Sequence, residues 1–70
     1  MQKEEVILII NGLIKVNEKR LIHISLNHGR FYNGIILKFN EESLSFNDRR
    51  LGYLDLLYSQ IINIEPFVER

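Results

Sequence analysis

The sequence predicts a mainly β domain: an N-terminal α-helix followed by a strongly bent five-stranded antiparallel small barrel. Two observations predict it. The hydrophobic period changes from helical to two after Arg20, and from there to Pro66 short apolar runs alternate with tight polar turns. Two glycines five residues apart, Gly29 and Gly34, add a turn and an interruption within a strand.

The helix is expected over about residues 4–17. Asn11-Gly12 between apolar runs is a hairpin signal, but its flanks do not alternate, because Val6–Ile10 is continuous. Glu4, Asn11, Lys15 and Glu18 fall near one helical face. Acids stand at the start and Lys15, Lys19 and Arg20 at the end, as the helix dipole favours. Gly12 is then either a tolerated cost or a point of close packing.

The barrel is expected over 21–65. Ile22, Ile24 and Leu26 alternate with His23, Ser25 and Asn27, giving a half-buried first strand. A turn at Asn27-His28-Gly29-Arg30 follows, with Gly29 supplying a positive φ. Phe31–Phe39 is a long second strand, and Gly34 within it marks the bend that closing a short sheet requires. Asn40-Glu41-Glu42 turns the chain into Ser43–Asn47, with Leu44 and Phe46 on one face. The charged turn Asp48–Gly52 leads to Tyr53–Tyr58. Ser59-Gln60 is a very short connection, and Ile61–Glu65 ends at Pro66, the lone proline.

Seventy residues make a single domain, 1–70, and one this small is marginally stable alone. There are no cysteines, so disulfides and thiolate metal sites are excluded. The apolar fraction is 46%, more than so small a core needs, and self-association is the simplest outlet. Nine basic and nine acidic residues balance, so no basic footprint covers the whole domain. Val6–Ile10, the longest apolar run, is too short to span a bilayer, and no signal peptide is evident. A cytoplasmic protein without membrane contact is expected. No nucleophile–base pair, phosphate-cradling glycine loop or metal-ligand spacing stands out. His23 and His28 read as surface residues, and Asp48 and Asp55 as isolated carboxylates. The expectation is a non-enzyme with no metal and no cofactor.

From Arg20 to Pro66 the order of features resembles the Sm-like superfamily, the Sm and LSm proteins and bacterial Hfq. The matching residues are Leu26-x-x-Gly29, an aromatic and Gly34, then Ile36 and Phe39, Leu44-x-Phe46, Asn47-Asp48, and Ile61-x-x-Ile64-x-Pro66. Asn17-Glu18-Lys19-Arg20 resembles the helix-to-strand joint of Hfq. The resemblance implies a bent barrel with a helix packed on it. It also implies a homo-oligomeric ring, a hexamer or heptamer, joined by the fourth strand of one copy and the fifth of the next. Exposed sheet edges are a liability unless paired, and a heterologous contact that closes makes a ring.

The resemblance also implies single-stranded RNA, U- or A-rich, as partner, with an RNA chaperone as one form of that activity. In Sm and LSm proteins an Asp and an Asn flank the turn after the second strand, and an Arg-Gly precedes the last. Here Asn40 falls at the Asp position and Ser43 near the Asn position. Leu57-Tyr58 or Tyr58-Ser59 replaces Arg-Gly. In Hfq the turn carries an amide and an aromatic, and a Tyr-Lys-His run comes later. Glu41 and Glu42 replace the first, and Tyr58-Ser59-Gln60 the second. The candidate pore residues are thus Asn40, Tyr58, Ser59 and Gln60: Asn40 and Gln60 to read base edges, Tyr58 to stack. Lys15, Lys19, Arg20, Arg49 and Arg50 form a candidate basic rim for phosphates, while Glu41 and Glu42 would repel them. A ring scaffold without RNA binding is the reading of a different class. A monomeric SH3-like peptide binder is a third.

Overall fold

The computed structural model describes residues 1–16 and 20–68. Helix α1 spans Lys3–Val16. Five strands follow: β1 Ile22–Leu26, β2 Phe31–Phe39, β3 Ser43–Asp48, β4 Gly52–Leu57 and β5 Ile61–Pro66. A 3-10 turn at Tyr58–Gln60 separates the last two. Every element lies within about two residues of its expected bounds, because each turn carries its own chemistry. Among the described residues no helix is long and apolar enough to cross a membrane.

In α1 the acids Glu4 and Glu5 occupy the first turn and Lys15 the last. Val6 and Ile10, four residues apart, are fully buried, with Ile9, Leu13 and Ile14 packed beside them. Gly12 has open space where a Cβ would stand. It is therefore a tolerated cost and not a packing point. Arg20, at the entry to β1, holds φ +56°, a left-handed conformation that a side chain of its size rarely takes.

All strand pairs are antiparallel, in the order β4-β3-β2-β1-β5. The sheet is open, which corrects the expected closed barrel. The reason is geometric. Alternation across five strands leaves the two edges, β4 and β5, running in the same sense. Strands joined by three residues can pair only antiparallel, since a parallel pair needs a crossover of a dozen or more. The sheet is nonetheless bent. Laid flat, β4 and β5 would stand roughly 19 Å apart at about 4.8 Å per strand. Instead Leu56 of β4 shares one core with Ile61 and Ile64 of β5, together with Ile22, Ile24, Leu44, Phe46 and the helix.

The two glycines divide their work differently from expectation. Gly29 takes φ +84° in the β1–β2 turn, as the sequence predicts. At Gly34 the β2 and β3 backbones approach so closely that a Cβ would overlap the Asn47 carbonyl oxygen. The register slip of β2 lies further on, between Ile36 and Lys38. Gly34 permits the close approach, and the extra residue Leu37 forms the bulge.

Candidate functional site: two loop clusters

Asn40 and Tyr58 do meet. The Asn40 N–H donates to the Ser43 carbonyl at 2.9 Å, closing the β2–β3 turn. The Tyr58 hydroxyl donates to the Asn40 carbonyl at 2.7 Å, and the Tyr58 N–H to the Glu42 carbonyl at 3.2 Å. Tyr58 is buried, and burial pushes its phenol up, so the hydroxyl remains a donor. The Asn40 amide donates to Ser45 Oγ at 2.8 Å and lies 3.4 Å from Ser43 Oγ. Ser45 in turn donates to Asp55 Oδ1 at 2.9 Å, which also accepts from the Tyr53 hydroxyl at 3.0 Å. The Asn40 side chain thus heads a chain of hydrogen bonds over the outer face of β3 and β4. Reading a base edge would require that chain to open.

Ser59 and Gln60 part company. Ser59 is exposed and lines a hollow of about 520 Å³ with Glu41, Glu42, Leu57 and Lys3. Gln60 lines a different cleft, about 460 Å³, with His28, Arg30, Tyr32 and Asp55. The four candidate pore residues therefore do not make one pocket within a single chain.

Of the basic candidates, the structure brings together only Arg49 and Arg50. Lys15 is exposed at the end of α1, Arg20 is exposed four residues after the helix ends, and Lys19 lies outside the described residues. Leu21, next to Arg20, accepts the Phe67 N–H at 3.1 Å. The Arg49 guanidinium lies 5.5 Å from the centre of the Phe67 ring, within cation–π range. Arg49 and Arg50 sit in the β3–β4 turn, which Asp48 holds. Its carboxylate accepts N–H bonds from Leu51 at 2.9 Å, Arg50 at 3.0 Å and Asn33 at 3.1 Å. Burial pushes the Asp48 carboxyl up. The three N–H bonds and the neighbouring Arg50 charge outweigh this and hold it below its ordinary value.

Asp48 and Asp55, expected from the sequence as isolated carboxylates, are not isolated: Asp48 accepts three backbone N–H bonds and Asp55 the Ser45 and Tyr53 hydroxyls, while Arg30, Phe31 and Ser45 were not singled out as site residues. A signal existed for Asp48: an Asp opening Asp-Arg-Arg-Leu-Gly is an Asx-turn pattern. For Phe31 it was strand phase, since it pairs with Ser25 on the outward face of β1. His23 is half-buried rather than free on the surface. Its Nδ1 bonds Asn33 Oδ1, its Nε2 lies 3.3 Å from Ser25 Oγ, and its ring packs on Phe31 with centroids 5.3 Å apart. An amide oxygen only accepts, so Nδ1 carries the proton. The Ser25 contact is at the long end for a hydrogen bond, and the His23 ring lies tilted by 34° against Phe31.

Compared with protein-family models, curated proteins and solved structures, the chain matches none of them.

Proposed function

We propose that the chain is an Sm-like protein that assembles into a homo-oligomeric ring, a hexamer or heptamer, and binds single-stranded RNA. The observation that carries this is the open sheet. β4 and β5 are both six residues long and each has one unpaired edge. They also carry outward apolar side chains, with Tyr53 64% and Ile62 59% exposed. Edges of equal length on opposite sides of the sheet suit head-to-tail pairing between copies, which satisfies both ladders. Assembly would place the turns of successive copies side by side and multiply weak RNA contacts.

A second reading, a ring scaffold without RNA binding, draws on the Asn40 cluster. There the amide and the phenol are engaged internally, while Glu41 and Glu42 face outward. Native mass spectrometry with short oligo-U and oligo-A RNA separates the two. A six- or seven-subunit species that gains the mass of RNA is expected. A ring that ignores both RNAs at high micromolar concentration selects the scaffold, and a monomer of 8.3 kDa removes the ring.

A further inference from the structure

We propose that the exposed face of α1 docks a second copy of the chain, running antiparallel. Leu8 of each copy sits over Gly12 of the other, and Glu4 of each stands beside Lys15 of the other. The contact is separate from the sheet edges and goes beyond the ring reading.

Val6 and Ile10 form the buried face of α1. The opposite face is not wholly polar, as a solvated helix face would be. Leu8 is 75% exposed there and Val16 80%. Gly12 lies midway between them, itself exposed, with nothing within 4 Å of the place a Cβ would take. Steps of four residues put the three on one stripe. Within one chain Gly12 only costs the helix stability. Between two helices it is a gap that lets the backbones approach and that a leucine fills.

Charge identifies the occupant. The exposed charged residues of α1 are Glu4 and Glu5 in the first turn and Lys15 in the last. Lys3 is half-buried and lines the hollow that holds Glu41 and Glu42. The side chains of Glu4, Glu5 and Lys15 have no partner among the described residues. On one helix Glu4 and Lys15 are roughly 16 Å apart along the axis, too far to pair. A second helix laid antiparallel, with a two-fold axis at the level of Ile10, brings acid against lysine at both ends. The same axis sets each Leu8 level with Gly12 of the other copy. A parallel helix would set like charges together. An anionic lipid surface calls for several cations, and this face carries two acids and one lysine. One such helix pair is small beside the roughly 800 Å² per partner of a standard interface. Around a ring the contact repeats, and two rings joined by two-fold contacts close with dihedral symmetry.

Sedimentation velocity of the whole chain, from low to high micromolar concentration, is expected to show twice the mass of a ring. Should the ring itself not form, the same surface gives a dimer that grows with concentration, so the two readings fail separately. A species that stays a single ring or a single chain at every concentration overturns the proposal. Leu8→Gln should raise the midpoint of pairing about tenfold. Gly12→Leu is the sharper variant. It improves the helix and meets open space within its own chain, yet it fills the gap and should abolish pairing. Tighter association in Gly12→Leu would mean general apolar adhesion and overturn the proposal. Lys15→Glu should weaken pairing, most at low salt, and Glu4→Lys with Lys15→Glu should restore it. No recovery in that double variant overturns the antiparallel contact. Far-UV circular dichroism on the same samples confirms that each variant is folded.

Discussion

The two loop clusters hold their turns with opposite chemistry. The β2–β3 turn is held by neutral groups, the Asn40 amide and the Tyr58 hydroxyl. Its carboxylates, Glu41 and Glu42, are left outside. The β3–β4 turn is held by a carboxylate, Asp48, and its arginines are left outside. Both turns satisfy their backbone, but the residue type drawn inward decides the sign of the surface that remains. An almost neutral chain thereby acquires one acidic and one basic loop cluster without any long charge run.

Several substitutions would break or sharpen that contrast. Gly34→Ala should do the most damage. It drives a Cβ into the Asn47 carbonyl beneath the β3–β4 turn, with an expected loss of about 3 kcal/mol or more. Chemical denaturation would measure it, and an unchanged midpoint would mean the close approach relaxes freely. Asp48→Ala removes the acceptor of three N–H bonds and should cost about 2–3 kcal/mol. Tyr58→Phe removes one hydroxyl bond and should cost about 1 kcal/mol. Equal losses in these two variants would erase the distinction between a charged and a neutral lock.

Acid should separate the clusters further. The Asp48 carboxyl is depressed in the folded protein. Its contribution is therefore complete above the ordinary carboxylate pKa of 3.8 and is lost as pH falls below it, through the folded value. Protection of the Arg50 and Leu51 amides, measured as exchange relative to the intrinsic rate at each pH, should fall in that window in the native protein and show no such step in Asp48→Asn. The turn held by Tyr58 should show no such step. The smallest effect on stability is expected from Glu41→Gln with Glu42→Gln, within about 0.5 kcal/mol. If RNA passes near the first turn, the same pair should tighten binding, most strongly at low salt. Unchanged affinity would place the RNA path away from Glu41 and Glu42.

The fold was legible because its signals are local. Alternation in Leu21–Asn27 fixes which face of β1 is buried, and Gly29 fixes its turn. The continuous run Val6–Ile10 with charges ordered along the dipole outweighed Asn11-Gly12. Gly34 was legible as special but not as to how, since a bend and a close approach ask for the same residue. The candidate site was legible only in part. Asn40 and Tyr58 are brought together, eighteen positions apart, but Gln60 turns into another cleft. Nothing in the local pattern states the direction of a three-residue connection.

Residue order alone thus determined the helix, the five strands, the turns and the inward phase of β1 and β3. Those depend on period, capping charge and φ preference, all of which act within a few residues. Tertiary structure alone decided three things. The sheet stays open because five alternating strands leave two edges running the same way. Asp48 rather than a backbone carbonyl receives the Asn33 N–H fifteen residues away. And Arg30, Phe31 and Arg50, from turns far apart in the chain, share one surface. Each is a consequence of which strands lie side by side, a property of pairing across the sheet.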